Sequence, residues 1–151
     1  MDRRSLIQTA ATSALAALAT TAAAQSKDMH AHHQHHGNHG GGANQGLIAA
    51  AAACLGTGQA CLAHCLVLLG QGEKEMAACA QSVNQLLAIC DALQKVAIQQ
   101  GSALKDLARL AAKTCDECEK ACRKHADKHA ECKACADACA DCVKECKAVA
   151  A

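Results

Sequence analysis

The stretch ECKACADACADCVKEC, residues 131–146, carries five cysteines in sixteen positions and contains no glycine, proline or aromatic residue. Alanine and charged residues fill most of the other positions, so the stretch favours an α-helix. The cysteines follow the spacing i, i+3, i+7, i+10, i+14, which places them along one stripe of that helix. Such a stripe normally carries leucine and faces the axis of a helical bundle. The thiols are therefore predicted to be core residues.

Three further helices repeat this pattern. Glycines at 70, 72 and 101 interrupt the helical periodicity, and a third break is expected near 126–128. The predicted helices run about 45–70, 73–100, 102–126 and 129–150, with short connections. This predicts an all-α fold, an antiparallel up-down-up-down four-helix bundle with a cysteine-lined core. The thirteen cysteines that can face the axis together are Cys54, Cys61, Cys65, Cys79, Cys90, Cys115, Cys118, Cys122, Cys132, Cys135, Cys139, Cys142 and Cys146.

The rest of the core is predicted to be aliphatic. The chain has no Phe, Tyr or Trp, the residues that usually supply much of a core's volume. Toward the end of the bundle that includes Gly101, the stripes continue beyond the cysteines with aliphatic residues. These are Leu104, Leu107 and Ala111 on the third helix and Leu93, Val96 and Ala97 on the second. Charged residues beside the cysteines are predicted on the outer faces. The formal net charge of +1 gives no indication of nucleic-acid or anionic-membrane binding.

The N-terminus is typical of a twin-arginine signal peptide. Arg3 and Arg4 precede a mildly apolar, alanine-rich stretch that ends in Ala22-Ala23-Ala24, an A-x-A cleavage pattern. We expect residues 1–24 to be cleaved, and the protein to act in the periplasm or elsewhere outside the cytoplasmic membrane. An amphipathic N-terminal helix is the alternative. No membrane insertion is expected after cleavage, because the apolar run is short.

Residues 25–44 form a histidine- and glycine-rich tail, predicted to be disordered because it cannot pack a core. Its histidines are His30, His32, His33, His35, His36 and His39. Imidazoles bind Cu(II), Ni(II) or Zn(II), so the tail is interpreted either as a metal-gathering segment or as a solubilising one. Residues 45–151 are predicted to form the metal-binding bundle domain.

Several states could accommodate thirteen inward thiols. Cysteine can act as a small buried hydrophobe, but rarely in such numbers. Disulfides would suit an oxidising compartment, yet an odd count leaves one thiol over, and cysteines stacked along one helix are poorly placed to bridge each other. Four-cysteine zinc sites would take about three Zn(II) and leave a buried charge near −7. Iron–sulfur clusters would also leave several cysteines unused.

Cu(I) fits these thiols best. It is soft, prefers thiolate and thioether sulfur, and accepts two or three ligands. One monovalent ion per thiolate brings the core close to neutrality, so electroneutrality predicts about one copper per cysteine. His64 and Met76 are predicted as weaker, exchangeable ligands at the end of the bundle that includes residues 70–72. Each has a structural alternative, a solvated histidine and a gap-filling core methionine. His125 and His129 are not assigned a ligand role.

The motifs CLGTGQACLAHC, CDECEKAC and CKACADACADCVKEC, together with the twin-arginine start and the missing aromatics, resemble the exported copper storage proteins of methane-oxidising bacteria. The resemblance covers residues 45–150. It implies a four-helix bundle that loads many Cu(I) ions onto the thirteen cysteines, with His64 and Met76 at its mouth. It also implies a homotetramer and a role in supplying copper for methane oxidation.

No enzymatic function is predicted, since no Ser-His-Asp set, phosphate-binding glycine loop or carboxylate pair is present. Storage of Cu(I) is the leading interpretation. Copper detoxification, a disulfide-stapled interaction module and a redox protein remain the alternatives. The sequence does not identify the copper acceptor or chelator that would remove the metal.

Overall fold

A computed structural model describes residues 42–151 of the chain. Within this range the helices are α1 Gln45–Gly70, α2 Ala77–Ile98, α3 Leu104–Arg123 and α4 Ala130–Ala150, and a short 3-10 helix, Lys74–Met76, leads into α2. These residues contain no strand, so the all-α prediction is confirmed. The predicted signal peptide, 1–24, and residues 25–41 of the predicted tail lie outside the described residues.

The four helices close into a bundle. Each helix packs against the next one in the chain, and α1 also packs against α4. Within the described range, the diagonal pairs α1/α3 and α2/α4 do not approach each other closely. Side chains must therefore fill the space along the axis. The connections are short, which makes neighbouring helices antiparallel and confirms the up-down-up-down arrangement.

Local hydrogen bonding sets the helix ends. Gly72 has φ 97, and around it the amides of Gly72 and Glu73 donate to the carbonyls of Leu69 and Leu68, each at 3.0 Å. This is a Schellman motif, which terminates α1. At the end of α3, the amide of His125 donates to the carbonyl of Cys122 at 3.0 Å. This tight turn ends α3 at Arg123, three residues before the predicted bound.

The core is sulfur-rich but not uniformly so. All thirteen cysteines are fully buried, as the predicted cysteine-lined core requires. Because α2 contributes only two cysteines, Val83 and Leu86 fill its stripe and are also fully buried. Toward the end of the bundle where α2 connects to α3, the core is aliphatic. Its buried residues there include Leu47, Leu93, Ala97, Leu104, Ala108 and Ala111. The predicted core residues Leu107 and Val96 are only half-buried and pack against this layer.

The outer faces differ in character. On α3 and α4 they carry ion pairs such as Arg123 Nη1 to Asp137 Oδ1 at 2.6 Å, as predicted. The outer face of α1 is largely apolar and has no charged residue, and it leaves Leu66 57% and Val67 59% exposed. By length and composition α1 could cross a membrane. Its other face, however, carries three buried cysteines and belongs to the bundle core.

Candidate metal centre

Twelve of the thirteen core sulfur atoms, all but that of Cys146, fall into four groups, within each of which every Sγ lies within 4.8 Å of the others. The deep tetrad takes one cysteine from each helix: Cys54, Cys90, Cys115 and Cys142. The outer tetrad, nearer the end where the chain turns at 71–76 and 124–129, comprises Cys61, Cys65, Cys79 and Cys132. Between them lie two three-thiol groups, Cys61/Cys122/Cys135 and Cys118/Cys135/Cys139. Such arrangements of sulfur can bind metal ions.

The sulfur atoms approach each other without bonding. Across helices, the Sγ–Sγ distances are 3.4 Å for Cys79–Cys122, 3.7 Å for Cys61–Cys132 and 3.9 Å for Cys90–Cys115. A disulfide would need about 2.05 Å. All thirteen cysteines are free in this structure. The thiols therefore contact one another in pairs and small groups along the axis, and no disulfide links them.

Burial and thiol–thiol hydrogen bonds shift the thiol pKa values in opposite directions. Hydrogen bonds, with Cys139 as the largest cause, lower the pKa of Cys115 to about 6. Burial is the largest cause of the raised pKa of Cys65 and of Cys132. No polar or charged side chain is buried among the described residues. The protein thus supplies no buried cation to neutralise thiolates, and bound metal ions would have to do so.

The end of the bundle next to the outer tetrad carries a histidine pair. His64 Nε2 lies 2.9 Å from His129 Nδ1, and 3.8 Å from Glu131 Oε2. The side chain of His64 is 24% exposed, so it can contact both solvent and this cluster. Met76, by contrast, is fully buried, at the end of the 3-10 helix. The structure places both predicted mouth residues at this end, and their ligand roles remain predictions.

Sequence reasoning missed His129. A helical projection places it away from the cysteine stripe, but its backbone is extended, with φ −131 and ψ 111, because it precedes the first residue of α4. That conformation lets its ring meet His64, with the ring centroids 4.9 Å apart. His125, which the projection places on the stripe, is only half-buried in the turn.

The family model for copper storage proteins matches residues 41–151. The chain belongs to the copper storage protein family. This family comprises metal-binding storage proteins and is not a known enzyme family. Membership accounts for a core in which free thiols take many of the positions that aromatic and leucine side chains usually fill.

Solved structures of copper storage proteins share the fold. Apo copper storage protein 3 from Bacillus subtilis matches with a TM-score of 0.64 and 27% identity, over 72% of this chain and 99% of that chain. Cu(I)-bound BsCsp3 matches with a TM-score of 0.62 and 27% identity, over 70% of this chain and 95% of that chain. Among curated protein sequences none matches the chain.

Proposed function

We propose that this chain stores Cu(I), at about one ion per cysteine, on the thiolates of its bundle core. The observation that carries the proposal is a set of thirteen fully buried free thiols, beside which residues 42–151 place no buried cation. A solved relative with the same fold is Cu(I)-bound. Function then consists of binding and releasing copper, and no substrate is turned over.

The grouping of the sulfurs suits a monovalent soft ion. Cu(I) accepts two or three thiolates and shares bridging sulfurs, so it can use the three-thiol groups as well as the tetrads. Cys61 and Cys135 each belong to two groups and are placed to bridge neighbouring ions. Each Cu(I) cancels the charge of one thiolate, so the filled column stays close to neutral in a core without counter-ions.

Copper enters and leaves at the end that carries His64 and Met76. An imidazole and a thioether bind Cu(I) more weakly than a thiolate does, so they serve as exchangeable ligands between solvent and the outer tetrad. His64 is partly open to solvent while Met76 is buried. This difference in exposure supports a transfer of copper from histidine to methionine to thiolate.

Anaerobic titration of the reduced protein with Cu(I), in competition with a chelator of known affinity, tests the storage proposal. We expect saturation near thirteen equivalents, one for each cysteine. Saturation near four equivalents would contradict a filled core and indicate discrete sites. Thiol counting on the same sample provides the control, because disulfide formation would lower the number of free thiols and the number of bound Cu(I) ions together.

The cellular setting is also a proposal. The twin-arginine pattern supports export out of the cytoplasm, and the similarity to exported members supports copper supply to methane oxidation through a copper acceptor or chelator. Fractionation of cells expressing the chain with Arg3→Lys and Arg4→Lys tests the export. Induction by copper starvation would support supply, whereas induction by excess copper would support detoxification.

Assembly as a homotetramer is supported by the uncharged outer face of α1, where Leu66 and Val67 are more than half exposed. Apolar surface of this kind usually marks an interface. Sedimentation of the wild type against Leu66→Glu tests this assignment. A tetramer that becomes smaller on substitution supports it, and a wild-type monomer contradicts it.

A further inference from the structure

The two tetrads each bring four sulfurs close enough together for a closed four-thiolate site. In a regular four-thiolate site with Zn–S bonds of about 2.3 Å, neighbouring sulfurs lie about 3.8 Å apart. One Sγ–Sγ distance in each tetrad lies close to this value: Cys61–Cys132 at 3.7 Å in the outer tetrad and Cys90–Cys115 at 3.9 Å in the deep tetrad. All sulfurs of each tetrad lie within 4.8 Å of one another, so a central ion needs only small side-chain movements.

We infer that the copper-free protein binds two divalent tetrahedral ions of the Zn(II) class, one in the deep tetrad and one in the outer tetrad. This inference goes beyond storage of Cu(I), because it concerns a different ion, a different number of ions and a different state of the protein. Zn(II) has no geometric preference from its d electrons and takes four thiolates in closed sites.

The number two follows from the sulfurs that remain. Once the tetrads are occupied, the unused cysteines are Cys118, Cys122, Cys135, Cys139 and Cys146. No four of them form a group, and the one group made only of unused cysteines, Cys118/Cys135/Cys139, has three thiols. A third divalent ion would therefore lack a fourth thiolate. Cu(I) has no such limit, because three sulfurs complete its coordination.

Charge allows two such ions, because only the thiols of the tetrads need to ionise. Each ion replaces the four thiol protons of its tetrad and leaves a net charge of about −2, the value found in four-cysteine structural zinc sites. The five unused cysteines keep their protons. The core therefore never carries the large negative charge that thirteen thiolates would give. When Cu(I) arrives, it binds thiolate more tightly than Zn(II) does, and the two divalent ions leave as copper fills the column.

Co(II) is the probe that tests this inference, since tetrahedral Co(II) thiolate sites show intense visible bands that octahedral Co(II) lacks. Anaerobic titration of the reduced full-length protein should give bands that stop growing at two equivalents. Added Zn(II) should then remove the bands by displacement. Weak octahedral spectra, or growth beyond three equivalents, would overturn the inference.

Single substitutions locate the sites. Cys115→Ser, in the deep tetrad, and Cys79→Ser, in the outer tetrad, should each reduce the endpoint from two equivalents to one. The matched control is Cys118→Ser, which alters an equally buried thiol one turn along α3 but outside both tetrads, and it should retain two. Circular dichroism confirms that each variant is folded. An equal loss in Cys118→Ser would overturn the assignment.

The same proteins separate this inference from the storage proposal. A Cu(I) titration near thirteen equivalents together with no tetrahedral Co(II) signal would refute the divalent sites and leave storage intact. Two Co(II) ions together with a Cu(I) endpoint near four would refute storage and leave the divalent sites intact. Each measurement therefore decides one claim.

Discussion

At the scale of the residue, cysteine occupies the positions where a helical bundle normally places leucine. Every one of the thirteen is fully buried, although a thiol is smaller than a leucine side chain and packs less apolar volume. The gain is chemical, because closely spaced groups of sulfur atoms can bind soft metal ions, which leucine cannot do. The larger apolar residues Leu47, Leu86 and Leu93 complete the packing around and beyond these groups.

Removal of the mouth imidazole should slow copper exchange with little change in capacity. We expect His64→Ala to bind nearly as many Cu(I) ions as the wild type. Transfer to a chelator should become about tenfold slower, the equivalent of about 1.4 kcal/mol. The reason is that the substitution removes a partly exposed, exchangeable ligand next to the outer tetrad. Stopped-flow transfer to a coloured chelator measures the rate.

The control for this prediction is His125→Ala, which removes a half-buried histidine from the neighbouring turn and should leave the rate unchanged. Equal slowing in both variants would contradict a specific role for His64. The location of His64 was predictable from its place near the end of α1. The contact with His129 was not, because it depends on the extended backbone before α4.

At the scale of the element, the helices and their inward stripes could be predicted from periodicity and from glycine positions. The ends of α2 and α3 could not, because both depend on local turns: the 3-10 helix Lys74–Met76 and the tight turn after Arg123. The division of the sulfurs into tetrads and three-thiol groups was equally inaccessible. It depends on the axial stagger between helices, which a stripe on one helix does not fix.

The packing of α1 against α2 depends on a small residue at position 58. A Cβ atom at Gly58 would lie 3.0 Å from Leu87 Cδ2 and 3.5 Å from Leu86 Cδ2. We expect Gly58→Val to lower the free energy of unfolding of the copper-free protein by about 1–3 kcal/mol, because its methyl groups overpack this contact. Chemical denaturation under reducing conditions measures the change.

Gly56, two residues earlier, offers the opposite test. A Cβ atom there meets nothing within 4 Å, and alanine forms helix better than glycine. Gly56→Ala should therefore raise the free energy of unfolding by about 0.5–1 kcal/mol. If both substitutions destabilise the protein equally, the proposed close contact of Gly58 with α2 is wrong.

At the scale of the whole molecule, the thiols link stability to pH. Cys65 and Cys132 have pKa values raised above their ordinary value of 9.0, chiefly by burial. In the unfolded chain these thiols ionise at lower pH than in the bundle. Their contribution to stability is therefore complete below pH 9 and is lost as the pH rises above it. The pKa of Cys115 is lowered to about 6, so its contribution to stability has the opposite pH dependence. That contribution is complete above pH 9 and is lost as the pH falls from 9 through 6.

The melting temperature of the reduced, copper-free protein should accordingly fall by several degrees between pH 9 and pH 10.5. Cys65→Ser, which removes one of the titrating thiols, should show a smaller fall. The copper-loaded protein should show almost none, since its thiolates are already ionised and bound. If the melting temperature falls equally between pH 9 and pH 10.5 in all three samples, groups other than these thiols cause the fall.

The central claim is that the sulfur atoms of four helices form one axial column that holds copper. Anomalous diffraction at the copper edge, from crystals loaded with Cu(I) without oxygen, tests it most directly. We predict about a dozen copper peaks along the bundle axis, from the level of Cys146 to that of Cys65, each within bonding distance of cysteine sulfur. Copper confined to surface histidines, around a core that stays metal-free, would contradict the account.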